Sequence, residues 1–515
     1  MARSGTFCLL GAGASADAGY PLATELRHEF FELVEAEGQR EAELCRKRAE
    51  QLKRSENSLK MILPLDQAEP DLDAATISDK FKMLWAVYEE CAASEKLLAT
   101  PKFVDGRPEL NSAVRITASG IAFAPYSLPR ESSDSAPPTL EGFFAFYDLL
   151  ERPILRRLFA NLRLPKGTAA PQASAVPQDF RSLRKIALRT AYDALAPFKH
   201  ELADYLAPLL SVTGPFGHPT IATLNFDLAI EQVVSDRELT VFDGFSDAPR
   251  LDLPRPQSFE QAESPNLVRL WDTARSNLCP YIGFESVPSG SIELIKLHGS
   301  LGWFTIEEGS GDIGNRADLR RNTVYAHMRL PLEVMAFAGN ASNIHDLAVG
   351  GASDITMQSS DGQVSRKAGV IWLRPNMMFA RATKMHLDAM WVELVGRLSL
   401  SLTYAQNILV VGYSWGDAHI NDILLNAIAQ GARLIDVSRE CPNQHTLGLI
   451  AQRFPTTFRE TSDRVFMFGG GSRQVLAERE IVLPCGKTVS FDLPDALTRA
   501  IALPTEYSLR QAINS

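Results

Sequence analysis

Short apolar runs that each break into glycine or a small polar cluster constrain this chain's fold more than any other feature. They are Thr6 to Leu10, then TIATLNF (220–226), IELIKLH (292–298), AGVIWL (368–373), NILVVGYS (407–414) and ARLIDVS (432–438). All are short enough for strands and rich in β-branched residues. Stretches with helical spacing, KMHLDAMWVELVGRLSLSL (384–402) and INDILLNAIAQ (420–430), lie between several of them. Strands apolar on both faces and alternating with helices belong to a parallel sheet covered on each side. The expected class is therefore α/β, a doubly wound, Rossmann-like parallel sheet with a large helical insertion and a small C-terminal appendage. Residues 1–30 and 205–440 carry the sheet. Residues 31–204 read as a mainly helical insertion, with loops at 124–138 and 164–178. Residues 441–515, with the strand-like pieces FMFGGG and EIVLPCGKTVSFDL, read as a small C-terminal unit.

Composition narrows the functional classes. With 515 residues, 45% apolar and 22% charged, the chain has the make-up of a soluble globular protein with room for several domains. A formal net charge of −10 argues against direct nucleic-acid binding through a broad basic field. Nothing resembles a membrane span of about 18 apolar residues. Cys8, Cys45, Cys91, Cys279, Cys441 and Cys485 include no CxxC pair, so zinc-ribbon spacing is absent and free thiols in a cytoplasmic setting are expected. Arg3, the run Phe7–Leu10 and small residues to Ala18 mimic a secretion signal, but Gly11 and Gly13 cut the apolar region below the usual length. A buried first strand is the expected reading.

In open α/β sheets, ligands sit beyond the carboxyl ends of the strands, and four such ends carry polar residues. The first is Gly11-Ala12-Gly13-Ala14-Ser15, followed by Gly19-Tyr20-Pro21. Glycines there permit close approach of a phosphate to a helix N-terminus, although a plain strand-to-helix turn has the same look. A hydride-transfer fingerprint expects a second strand with an acidic residue about 20 positions on. The chain instead enters a charged helical stretch, which disfavours that chemistry.

The second end carries Asn225 and Asp227. A carboxamide both donates and accepts, which suits holding a hydroxyl or a water, and Asn also closes strands through bonds to its own backbone. Asp227 either caps the following helix or reaches a ligand. The third end places His298 before Gly299-Ser300, where a neutral imidazole accepts a proton at physiological pH. The fourth runs Gly412-Tyr413-Ser414-Trp415-Gly416-Asp417. Gly412 and Ser414 suit phosphate or ribose, and Asp417 reads as a helix cap. Asp436, closing ARLIDVS, is either a ribose acceptor or a solvent-facing turn residue.

Taken together, GAGAS with AGYP, TLNFD, KLHGS and VGYSWGD resemble, in order, the motifs of the sirtuin (silent-information-regulator) family, especially its bacterial NAD-hydrolysing antiphage-defence branch. The resemblance implies NAD as substrate, with Asn225 and His298 serving the breaking nicotinamide–ribose bond. It further implies that Gly11, Ala12, Gly13, Ala14, Ser15, Pro21, Asp227, Gly412, Ser414 and Asp436 hold the dinucleotide. Two departures count against the protein-deacylating members: no paired CxxC for their zinc module, and Leu22-Ala23-Thr24 where they carry Asp-Phe-Arg after Gly-x-Pro. The expected activity is NAD⁺ glycohydrolysis without zinc, controlled by homo-oligomerisation, an activating partner protein or a signal ligand. A non-catalytic sensor of NAD or ADP-ribose is the alternative.

Overall fold

The computed structural model describes residues 3–20, 22, 85–86, 88–89, 97–104, 107–117, 120–124, 195, 203–247, 251–252, 277–309, 323–332, 348–349, 353–359, 362–368, 370–377, 389–499 and 501–514. The chain divides into two compact units. One comprises Met1–Leu22, Leu195–Met378 and Leu387–Ser515, and the other Ala23–Ala194 with Phe379–His386.

The first unit is built on a nine-stranded sheet. Its strands are β1 (Ser4–Leu10), β2 (Thr220–Thr223), β3 (Val241–Phe242), β4 (Ile292–Lys296), β5 (Ala405–Val411), β6 (Arg433–Ser438), β7 (Val465–Gly469), β8 (Glu480–Val482) and β9 (Thr488–Ser490). They lie in the order β9-β8-β7-β6-β5-β1-β2-β4-β3. Pairing is parallel from β7 through to β3, and β8 and β9 add an antiparallel ribbon at one edge. The chain goes from β1 to one side and later returns to the other, so the strand order reverses at β1. That reversal opens a crevice at the carboxyl edge.

Alternate residues of each strand enter two separate cores, as the period of two requires. Phe7, Leu9, Ile408, Val410 and Leu434 pack under α3 (Ala389–Tyr404), α4 (Ala418–Ala429) and α5 (Gln444–Arg453). Cys8, Leu10, Leu409, Val411 and Ile435 face α2 (Ala229–Ser235) and the turn of 3₁₀ helix Asp204–Ser211. The sheet is thus doubly wound. The C-terminal residues continue it, because β7 pairs in parallel with β6 along Leu434–Ser438.

One expectation changes. The run 368–373 is not a strand of the parallel sheet: Val370–Met377 lies in a second, antiparallel sheet with Gly299–Gly309, Thr323–Arg329, Cys279–Pro280 and Ala348–Val349. The stretch read as a mainly helical insertion contains the antiparallel strands Leu97–Val104, Arg107–Thr117 and Gly120–Ala124. Val104 pairs with Arg107 across Asp105-Gly106, a two-residue hairpin signal. The sequence also predicts helices over 141–163 and 181–210; the first lies outside the described residues, and of the second only 195 and 203–210 are described.

Candidate functional site

Four neighbouring strands, β5, β1, β2 and β4, deliver their carboxyl ends to one place. Thr223 and Lys296 are register partners on β2 and β4, and Asn225 and His298 each follow two residues later. Two backbone bonds hold the exits together: Leu297 N–H to Thr223 O at 2.9 Å, and Leu301 N–H to Phe226 O at 3.0 Å. The Phe226 and His298 rings lie 6.1 Å apart. Gly299 makes the abrupt turn after His298, at φ +86°, a conformation that side chains rarely adopt.

Asn225 is buried, and its Nδ2 donates to Gly11 O at 3.0 Å and to Ser15 Oγ at 2.8 Å. A carbonyl can only accept, so the amide orientation is fixed by Gly11. The NH₂ group is therefore committed to the β1 loop, and Oδ1 is what the carboxamide offers to a hydroxyl or water. Asp227 Oδ1 accepts from Ala229 N–H at 3.0 Å, an Asx turn at the start of α2.

The β1 loop runs through a short helix α1 (Ala12–Ala16). Gly11, Gly13 and Gly412 bring two loops into backbone contact: a Cβ on Gly412, whose φ is +63°, would lie 2.2 Å from Ala14 N. Gly13 N–H donates to Gly412 O, Gly11 N–H to Val411 O, and Ala14 N–H to Gly11 O. These glycines therefore serve loop-on-loop packing, and those amides are already used. Ala12, Ser414 and Gly416 are exposed in the two loops, whereas Ala14 and Ser15 are buried. Pro21 lies outside the described residues.

From β5, the loop Gly412–Asp417 passes over the ends of two intervening strands to reach His298. Nε2 of His298 lies 2.9 Å from Oδ2 of Asp417, with the side chains 3% and 6% exposed. Tyr413 Oη donates to Asn421 Oδ1 (2.8 Å) and accepts from Asp417 N–H (3.1 Å), and Asn421 Nδ2 donates to Trp415 O (2.7 Å). The sequence pattern predicts a helix cap at Asp417, but its side chain makes no capping bond.

Asp436 is not a solvent-facing turn residue. It sits within β6, 1% exposed, with Oδ2 accepting from Thr446 Oγ at 3.1 Å and Oδ1 buried without a partner. Desolvation pushes its carboxyl up to about 7.

Several residues at this edge escape a reading of the sequence alone. Lys296, fully buried, donates to Asp227 O at 2.5 Å and to Glu231 at 2.6 Å, fixing the 225–228 turn from below. Beyond β7, Ser472 Oγ donates to Gly13 O (3.0 Å) and Arg473 N–H to Asp17 Oδ2 (2.9 Å). Asp17, Arg439, Gly470, Gly471 and Arg473 line an open cavity of about 430 Å³. A signal for this loop is present: FMFGGGS breaks from apolar run to glycine just as the other strand ends do.

Among the described residues no His, Cys, Asp and Glu cluster suits a metal ion, and no helix is long and apolar enough to cross a membrane. No protein-family model matches the chain, and no curated protein matches it. Among solved structures, one match is a chain from work on the structural basis for the mechanism and regulation of Sir2 enzymes. It is 13% identical at a TM-score of 0.25, covering 58% of this chain and 79% of that one.

Proposed function

We propose that the chain is an NAD⁺ glycohydrolase that breaks the nicotinamide–ribose bond with water as acceptor. The observation that carries the reading is the pairing of Asn225 and His298 on adjacent strand exits at the carboxyl-edge crevice. In the reaction the N-glycosidic electron pair leaves with nicotinamide, which departs neutral, and water closes on the cationic ribosyl carbon. The product is ADP-ribose, or a cyclised form where a group of the substrate replaces water. Oδ1 of Asn225 accepts from the ribose hydroxyl or the water, and His298 takes the proton released. Such a site works through positioning and a preorganised polar surround for an oxocarbenium-like state.

In this reading Ala12 and Ser414 are the loop residues that reach the dinucleotide. Gly11, Gly13, Ala14 and Gly412 set the spacing of the two loops, while Ser15 anchors Asn225 and Asp227 shapes the turn that carries it. Arg439 and Arg473 offer their cavity to the pyrophosphate or adenosine end. Asp436 supports the Gly412–Asp417 loop from within. A cell expressing an uncontrolled hydrolase of this kind would lose its NAD, so activity is gated by assembly, a partner or a signal ligand, as suits an antiphage effector.

The test is release of free nicotinamide from NAD by the purified chain, at several protein concentrations and with candidate activators. His298→Ala should abolish it while leaving the native circular dichroism intact. Asn225→Ala is the less clean variant, because it also cuts two buried bonds between loops. Full turnover by His298→Ala overturns the assignment. Saturable NAD binding without turnover under every condition favours a sensor.

A further inference from the structure

We propose that Asp417 is the positioning residue for His298: its carboxylate fixes the imidazole tautomer and balances the charge the ring acquires. Asp417 Oδ2 stands 2.9 Å from Nε2, with both side chains buried. A carboxylate has no proton to give, so the ring donates from Nε2, and in the neutral ring the basic lone pair is then on Nδ1. Nδ1 is thus the atom that receives the proton when water attacks.

The loop geometry shows that the contact is built. Asp417 occupies the N-cap position of α4 with extended backbone (φ −97°, ψ 96°), where an Asp side chain ordinarily accepts an amide of the first turn. It forgoes that bond and turns to His298. Tyr413 and Asn421 hold the loop in this course.

The described charged or titratable groups around the pair can be named. His419 on α4 lies 3.7 Å from the other Asp417 oxygen, and the Tyr413 hydroxyl meets the Asp417 backbone. Phe226 covers the ring from the β2 exit. Lys296, two residues earlier on β4, is turned to Asp227 O and Glu231.

This inference rests on His298 as the base, and its test separates the two ideas. Proteins carrying ¹⁵N-histidine, wild type and Asp417→Asn, are titrated by NMR without substrate, with His298→Gln assigning the resonance. Nε2 protonation is expected in the wild type, and that tautomer alone decides if the Asp417→Asn variant does not fold. In the folded variant the ring should no longer be held in one tautomer, since a carboxamide can donate to Nε2 as well as accept from it. Nicotinamide release should drop about a hundredfold; a merely structural role would lower activity without altering the tautomer. An Nδ1-protonated wild-type ring, or the same tautomer balance in both proteins, overturns the proposal. If the wild type releases no nicotinamide, the hydrolase reading fails and the NMR result still decides the pair.

Discussion

At the scale of single residues, the ionisation of Asp436 bears directly on stability. In an unfolded chain an aspartate titrates near 3.8; buried beneath Trp415 and α5 it titrates near 7. A folded-state value above the unfolded one means that the folded protein holds the proton more tightly between those limits. Stability therefore declines as pH rises from about 4 to about 7, where the full cost is reached, on the order of 4 kcal/mol. Asp436→Asn removes the titration but leaves a buried amide to satisfy, a cost that does not vary with pH. The stability difference between variant and wild type should thus grow in the variant's favour by about 2 kcal/mol or more from pH 4 to pH 8. Urea unfolding at a series of pH values measures it, and a difference flat with pH counts against a buried, proton-holding Asp436. Nothing in ARLIDVS announces this, because burial of Asp436 depends on Thr446 and Trp415, which arrive from two other elements.

At the scale of elements, the β2–α2 turn depends on a buried cation from the neighbouring strand. Lys296 is fully buried and bonded to both Asp227 O and Glu231. Burial raises the Glu231 carboxyl, and Lys296 opposes that rise. Removing the amine leaves a buried carboxylate and a backbone carbonyl without their donor. Lys296→Met should destabilise by about 3–5 kcal/mol, whereas Lys296→Met with Glu231→Leu should recover much of it, since a well-packed apolar pair often replaces a buried ion pair at little cost. A double-mutant cycle read by chemical unfolding checks this; additive losses would mean that the two side chains act independently. The strand ends themselves are legible in the sequence because glycine and polar punctuation follows each apolar run. Lys296 is hidden inside one of those runs, and Asp417 is hidden by sitting where a helix cap is expected. In both cases a local rule gives a sufficient explanation, so only the three-dimensional partner reveals the other role.

For the whole sheet-bearing unit, the weight falls on the C-terminal residues. The parallel order of β1, β2, β4, β5 and β6 follows from alternating strand and helix patterns, and that much is readable in the sequence. The place of 441–515 is not, because short strand-like pieces without long helices between them look the same in an appendage and at a sheet edge. All five residues of β7 are buried, and the strand pairs with β6 from Leu434 to Ser438. Phe466, Phe468, Val475, Leu476, Ile481 and Leu493 belong to the core on the α2 face, and Met467 and Ile450 to the core on the other. At about 1.5–3 kcal/mol for each fully buried side chain, losing them removes as much as the roughly 5–15 kcal/mol that typically holds a domain folded. It would also convert β6 from an interior strand into an unpaired, apolar edge, a template for aggregation. A chain ending at residue 440 should therefore be insoluble, or lack cooperative unfolding, even though it retains Asn225, His298 and Asp417. Soluble yield, size-exclusion profile and thermal melting of that truncation decide the matter. A monomer with native circular dichroism and a sharp melt would show that the sheet closes without its last strands, and that the C-terminal residues are an attachment after all.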